Sequence, residues 1–99
     1  MSAVELDPYV IDTLMPDLVG QDRRPSAFLV YLALWQRAGG SRHKSVAASL
    51  RQLAEGTGLS RRAVQEALAR LAKRRLIAVA HARATAVPSY TVLRPWVRR

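Results

Sequence analysis

Two short amphipathic patterns, separated by a glycine-containing turn, occupy residues 49–76 and constrain the fold more than any other stretch. Both follow a serine. In the first pattern the apolar positions are Leu50, Leu53 and Ala54. In the second they are Val64, Ala67, Leu68 and Leu71. Spacings of three and four residues place each set on one face of a helix. The stretch therefore predicts two short helices that cross at a tight corner.

The ends of both helices are marked by residues with known capping roles. Ser49 and Gln52 have capping-box spacing, in which the serine hydroxyl accepts the Gln52 N–H and the glutamine side chain accepts the Ser49 N–H. Ser60 is predicted to cap the second helix. Gly56 and Gly58 are predicted to stop the first helix, because glycine adopts the left-handed backbone without a Cβ clash.

The outward face of the second helix is rich in cations. Its residues are Arg61, Arg62, Gln65, Glu66, Ala69, Arg70 and Lys73. Arg61 and Arg62 lie beside the positive end of the helix dipole, which is unfavourable by about a few tenths of a kcal/mol each. A bound polyanion would reverse this penalty.

The small and apolar residues at the corner resemble those of helix-turn-helix proteins, in which small residues let two helices cross closely. They are Ala54, Gly58, Leu59, Val64 and Ala67. The continuation GLSRRAVQEALARLAKRRLIAV is similar to winged helix-turn-helix repressors, GntR-type and MarR-type among them, and the resemblance covers Pro25 to Leu93. It implies a mainly α fold with a small antiparallel β wing, and duplex DNA as the partner.

The chain departs from this resemblance at Arg75, where such families often have glycine. Either Arg75 is left-handed, with strain of order 1 kcal/mol, or the helix ends by another geometry. Beyond it, Leu76–Ala80 and Ser89–Leu93 are predicted wing strands, the second with a Tyr-Thr-Val signature. A brief strand at Ser45–Ala48 is expected to pair with the wing, as in winged proteins.

The resemblance also assigns site residues. The first turns of the second helix enter the major groove in such proteins, which assigns base contacts to Ser60, Arg61, Arg62 and Gln65. Arginine can bridge guanine O6 and N7, and glutamine can bridge adenine N6 and N7. Contacts with the DNA backbone are expected from Lys44, Arg51, Thr57, Arg70 and Lys73. The wing would contribute His81 and Arg83, with Arg83 in the minor groove. The alternative for the Lys44 loop and the Arg83 tip is a solvated surface.

Charge is divided unevenly along the chain. Residues 1–22 contain five acids and no lysine or arginine, whereas residues 23–99 hold all 16 cations against two acids, a net charge of +14. A region this basic attracts a polyanion such as duplex DNA, which carries one charge per about 1.7 Å of axis. The alternative is a surface that only keeps the protein soluble. We divide the chain into an acidic N-terminal segment, residues 1–22, and a winged helix-turn-helix DNA-binding domain, residues 23–99.

The acidic segment has its own apolar pattern. Asp7-Pro8 predicts a helix start, and Pro16 predicts a break into short helical pieces, or an extended piece followed by a helical turn. The segment would either pack on the winged domain or form a dimer contact.

Asp22 is the predicted cap of the next, nearly all-apolar helix, Ala27–Arg37, which should be buried on more than one side. In the C-terminal tail, Trp96 is expected to anchor on the core or on a partner subunit while the arginines stay solvated.

Composition disfavours several functional classes. The chain has no cysteine, and its histidines, His43 and His81, have no acid cluster nearby, so we expect no metal site, no cofactor and no enzyme activity. The longest apolar run, Ala27 to Trp35, has nine residues, whereas a bilayer requires about 20. No signal-peptide pattern opens the sequence. We expect a cytoplasmic protein with no membrane partner.

The preferred hypothesis is a small transcriptional regulator, a repressor, that binds duplex DNA with sequence preference. A homodimer is expected because one such module contacts few bases, and no small-molecule effector is indicated. Two alternatives stay open: a plasmid or phage replication or partition protein, and a winged helix whose basic face docks an acidic protein.

Overall fold

Helices and a small antiparallel sheet make up the fold in this computed structural model, which describes residues 3–39, 45–80 and 87–97. The elements in chain order are two π-helical segments, Val10–Leu14 and Pro16–Gln21, then α1 (Pro25–Arg37), β1 (Ser45–Ala47), α2 (Leu50–Thr57), α3 (Arg61–Lys73), β2 (Ile77–Ala80) and β3 (Ser89–Val92). This confirms the expected winged helix-turn-helix architecture, mainly α with a small antiparallel sheet. Among the described residues, every helix falls short of the length and hydropathy that a membrane crossing requires.

The helix α1 is the centre of the core. It packs against α2, α3, β3 and the second π-helical segment. Its buried residues are Ala27, Phe28, Val30, Tyr31, Leu34 and Trp35. The predicted cap at Asp22 is wrong, because the N-cap is Arg24, which makes no side-chain capping bond, and Pro25 occupies the first turn. Asp22 instead pairs with Arg74.

The three strands form an antiparallel sheet in the order β1-β3-β2. Val46 of β1 and Val79 of β2 both pair with Tyr90 of β3, and Tyr90 is buried. The expected pairing of the first strand with the wing is confirmed, and the predicted wing strands agree with β2 and β3 to within one residue. Since β2 follows α3 directly, the sheet is fixed to the end of that helix.

The N-terminal segment is helical on both sides of Pro16, but with π-helical bonding. The N–H of Met15 donates to the carbonyl of Val10, and the N–H of Asp22 donates to that of Asp17 at 2.9 Å. These five-residue steps differ from α-helical bonding, and the sequence did not predict them. One face of the segment belongs to the core and comprises the buried side chains Val10, Leu14 and Leu18.

The C-terminal tail packs on the N-terminal segment. The ring of Trp96 stacks on Tyr9 with 4.4 Å between ring centroids, and its Nε1 donates to Asp7 Oδ2 at 3.0 Å. This bond, and a second from the N–H of Tyr9, hold the pKa of Asp7 below its ordinary value. Arg94 lies over the ring of Trp35 at 3.9 Å and is half-buried. The expectation that Arg94 stays solvated is therefore wrong, because its guanidinium makes a cation–π contact.

The end of α3 is a Schellman turn with Arg75 in the left-handed position. Its φ is +58°. The N–H of Leu76 donates to the carbonyl of Leu71 at 2.9 Å, and the N–H of Arg75 donates to that of Ala72 at 3.0 Å. The chain therefore keeps the geometry for which glycine is usual, and Arg75 carries the strain anticipated from the sequence.

Candidate nucleic-acid interface

The helix α2 begins at a fixed residue because its first N–H groups are capped. The hydroxyl of Ser49 accepts the N–H of Gln52 at 3.1 Å, and the side-chain oxygen of Gln52 accepts the N–H of Ser49 at 2.9 Å. These bonds are the predicted capping box. Leu53 is fully buried while Arg51 is exposed, so α2 has one face in the core and another in solvent.

The turn between α2 and α3 is closed by Gly58 and Thr57. Gly58 has φ +79° and ends α2, whereas Gly56, also predicted to stop the helix, lies inside it. The hydroxyl of Thr57 donates to the carbonyl of Leu53 at 2.7 Å and accepts the N–H of Leu59 at 3.3 Å. This hydroxyl thus serves the turn. A phosphate contact through its hydrogen would have to replace the bond to Leu53.

The helix α3 separates a buried side from an exposed one. The hydroxyl of Ser60 accepts the N–H of Ala63 at 3.1 Å, which is the predicted cap. The predicted apolar face is buried in full: Val64, Ala67, Leu68 and Leu71. The predicted base-contacting residues are all exposed: Ser60, Arg61, Arg62 and Gln65. The structure therefore places these four residues together on the outer side of the first two turns.

Two of the predicted DNA-contacting arginines form equivalent ion pairs on neighbouring helices. Nε of Arg62 lies 3.2 Å from Oε1 of Glu66, and Nε of Arg51 lies 3.1 Å from Oε1 of Glu55. Both pairs join residues four apart, and the two arginine side chains are 89 % and 75 % exposed. Exposed pairs of this kind contribute only about 0.3–0.5 kcal/mol. Either guanidinium can therefore exchange its carboxylate for a base or a phosphate at small cost.

A basic cleft of about 440 Å³ flanks the outer face of α3. Its lining residues are Arg24, Glu66, Ala69, Arg70 and Lys73. Arg70 and Lys73 were predicted to contact the DNA backbone, and the structure brings them together. Arg24 was not among the site residues predicted from the sequence. The adjacent pair Arg23-Arg24 before Pro25 was the visible signal, but only the packing of α1 on α3 shows that Arg24 faces the same cleft.

Arg74 joins the end of α3 to the N-terminal segment. It donates to Oδ2 of Asp17 at 2.5 Å and to Oδ2 of Asp22 at 3.0 Å. The bond to Asp17, followed by that to Asp22, raises the pKa of Arg74. Because Arg74 is held by these carboxylates, it is not one of the cations of the cleft, and it fixes the acidic segment against the C-terminal end of α3.

Three predicted contacts, Lys44, His81 and Arg83, lie outside the described residues. Their roles stay predictions. Strands β2 and β3 nevertheless place the base of the wing beside the C-terminal end of α3, since β2 begins at Ile77.

A family model described as a helix-turn-helix domain matches residues 24–77, more than half of the chain. The matched range runs from the N-cap of α1 to the first residue of β2 and includes α2, the turn at Gly58 and α3. This chain belongs to the helix-turn-helix domain family. Comparisons with curated proteins and with solved structures gave no match.

As a helix-turn-helix protein, the chain is DNA-binding, and α2 and α3 are the two helices of the motif. The match includes the exposed residues of α3 and the residues that line the basic cleft. It does not reach the N-terminal segment or strand β3. The likeness to GntR-type or MarR-type regulators is finer than this match and stays a prediction.

Proposed function

We propose that this helix-turn-helix protein represses transcription by binding a specific duplex sequence, with the first two turns of α3 in the major groove. The observation that carries the proposal is the arrangement of α3. Four polar residues, Ser60, Arg61, Arg62 and Gln65, are exposed on one side, and the opposite side is fully committed to the core. Since the core holds the helix in place, these side chains are presented from a rigid element, as base recognition requires.

The residue types suit base edges in the major groove. Arginine at position 61 or 62 can donate two hydrogen bonds to guanine, and Gln65 can both donate to and accept from adenine. Arg62 would exchange its exposed pair with Glu66 for the base. The hydroxyl of Ser60 accepts an N–H within the helix and keeps its own hydrogen for an outside acceptor.

Phosphates on either side of the groove would be bound by flanking cations. Arg24, Arg70 and Lys73 share the cleft beside α3, and Arg51 lies on the exposed face of α2. Contacts of this type fix the orientation of the protein on the duplex without reading sequence. They also make affinity fall as salt rises, because each contact releases condensed counterions.

The test begins with selection of bound fragments from a random duplex pool, which should yield a consensus site. Binding of Arg62→Ala and Arg51→Ala is then measured on the consensus and on a scrambled duplex over a series of salt concentrations. Arg62→Ala should cost about 1–3 kcal/mol on the consensus and relax base preference at one position, whereas Arg51→Ala should weaken both duplexes alike and flatten the salt slope by about one.

These two variants are matched controls for each other. Each loses one exposed arginine and one ion pair to the glutamate four residues later, so their effects on folding stability should be alike. Equal losses on specific and scrambled duplex for both variants would refute base reading by α3.

The repressor role is tested separately by transcription from a promoter that carries the consensus. Transcription should fall when the protein is added, and unchanged or increased transcription would refute the repressor role.

A homodimer is part of this proposal, because one module contacts few bases. The selected site should contain two half-sites whose centres are separated by about one helical turn, 10–10.5 base pairs, or a multiple of it. A single half-site that is bound with full affinity by one chain would contradict this.

A further inference from the structure

The N-terminal segment presents two apolar stripes, of which the core covers only one. Val10, Leu14 and Leu18 are buried. The residue that follows each of these three in the sequence is exposed instead. Ile11 is 40 % exposed, and Met15 and Val19 are each 39 % exposed. Residues four apart lie on one face of a helical segment, and the five-residue bonding steps of this segment rotate successive members by less than a quarter turn. Ile11, Met15 and Val19 therefore form one continuous line, here called the outer stripe.

Exposed large apolar residues are concentrated in the N-terminal segment. The large apolar side chains that are exposed in the described part of the chain are Leu6, Tyr9, Ile11, Met15, Val19, Leu29, Val79 and Val87. Five of these eight precede residue 20. A single exposed leucine or valine is ordinary, but a contiguous apolar group on a small domain marks an interaction surface.

The charge around the outer stripe selects the kind of partner. Residues 1–22 contain no lysine or arginine. Of the acids there, Asp17 and Asp22 are paired with Arg74, and Asp7 accepts from Trp96. Two of the five acids are thus paired with an arginine, whereas Asp7 stays ionised and Glu5 and Asp12 are exposed. The segment has no cation of its own to attract nucleic acid or an anionic membrane. This excludes a polyanionic partner at this surface.

A second copy of the chain fits these properties. Residues 23–99 carry a net charge of +14, so two copies repel each other at most orientations, and their DNA-binding faces repel most strongly. The segment that carries the outer stripe contributes no cation of its own, and Arg74, which reaches it, is paired with Asp17 and Asp22. Two copies that meet there keep their basic faces apart and bury apolar area on both sides.

We propose that the outer stripe, Ile11, Met15 and Val19, is the contact between two copies of this chain, arranged about a two-fold axis. The inference deepens the proposed function, because it identifies the surface that pairs two modules. Arg74 holds the segment to the end of α3 through Asp17 and Asp22. Contact at the stripe therefore sets the separation of the two α3 helices, and the two-fold axis gives the paired half-sites inverted symmetry.

The first test compares oligomeric state without DNA by sedimentation equilibrium. Met15→Glu and Ile11→Glu place a charge on the stripe, and Leu29→Glu places the same charge on an exposed leucine of α1 outside it. The native chain and Leu29→Glu should be dimeric, while each stripe variant should dissociate at least about tenfold more readily, because a buried unpaired charge opposes association. Thermal melting of each variant verifies that it folds.

The second test uses the absence of cysteine from the sequence. Met15 is the middle residue of the stripe, so a two-fold axis through the centre of the contact brings position 15 of both copies together. A single cysteine introduced as Met15→Cys should therefore form a disulfide-linked dimer under mild oxidation. The control Leu29→Cys should remain largely monomeric on a non-reducing gel. If Leu29→Cys links as readily as Met15→Cys, the proposal is overturned.

A native chain that stays monomeric, or a stripe variant that remains as dimeric as the native chain, would also overturn the proposal. Failure here is distinguishable from failure of the proposed function. The stripe variants should bind an isolated half-site as tightly as the native chain binds that same half-site, because the stripe is not part of the DNA-binding face, and they should bind the paired site more weakly than the native chain does. If the native chain itself fails to bind a half-site, sequence recognition by α3 is refuted, and the proposed dimer contact is unaffected.

Discussion

Substitution of Arg75 by glycine should stabilise the protein, although it removes a side chain from the end of α3. Arg75 has φ +58°, where the Cβ of an L-residue approaches the backbone too closely. The turn itself is held by two backbone bonds, from Leu76 to Leu71 and from Arg75 to Ala72. Neither bond uses the Arg75 side chain, which is exposed. Glycine therefore keeps the turn and removes the strain.

The magnitude follows from two opposing effects. The left-handed conformation costs an L-residue about 1–2 kcal/mol. Glycine also increases the conformational freedom of the unfolded chain, which offsets roughly 0.4–1 kcal/mol of that gain. The net stabilisation from Arg75→Gly should be about 0.8 kcal/mol, the middle of the range of roughly 0–1.6 kcal/mol that these two effects allow, and it should raise the midpoint of thermal unfolding by roughly 3–6 °C for a domain of this size.

The assay is thermal unfolding followed by circular dichroism, with Arg75→Ala as the matched control. Alanine removes the same charge and the same long side chain but keeps Cβ, so its midpoint should stay close to that of the native chain. If glycine and alanine shift the midpoint equally, charge or side-chain length is responsible and the argument from strain is refuted. Arg23, with φ +54°, offers a second site where glycine should stabilise for the same reason.

Three further predictions concern the contacts that hold the site. Arg74→Met should lower the free energy of unfolding in urea by about 1–2 kcal/mol, between the values of exposed and buried ion pairs; an unchanged value would mean that the N-terminal segment is held without Arg74. Because the Trp96 N–H lowers the pKa of Asp7, the native chain should lose stability as the pH falls below about 4, the unfolded value of Asp. Asp7→Asn should lose less over that range, and parallel pH profiles would contradict this. Ser49→Ala should cost about 1 kcal/mol through loss of the capping box, and a control Ser49→Thr should restore most of it.

The parts of the fold that the sequence predicted are those determined by local spacing. The capping residues Ser49 and Ser60 and the apolar face of α3 act within one or two helical turns, so their pattern is visible in the sequence. The wing strands were located for the same reason, because Tyr90 and its neighbours have strong β preference and are bounded by Pro88. The exposed residues of α3 could be predicted from its buried residues, since a residue on the core-facing side of a helix cannot also lie on the solvent-facing side.

The parts that were missed depend on residues far apart in the chain. Asp22 has the properties of a helix cap, but a partner 52 residues away, Arg74, competes for its carboxylate. Arg94 was expected in solvent because nothing near it in sequence indicates the ring of Trp35. Arg24 belongs to the basic cleft only because α1 packs on α3. None of these contacts can be predicted from a short spacing in the sequence.

The measurement that most directly tests the account is a backbone amide NMR titration of the protein with its selected duplex. If α3 reads the duplex, the largest chemical-shift changes fall on residues 60–66, with smaller ones at Arg24, Arg70 and Lys73 around the cleft. Changes confined to other surfaces, with the amides of Arg61, Arg62 and Gln65 unaffected at saturation, would contradict it.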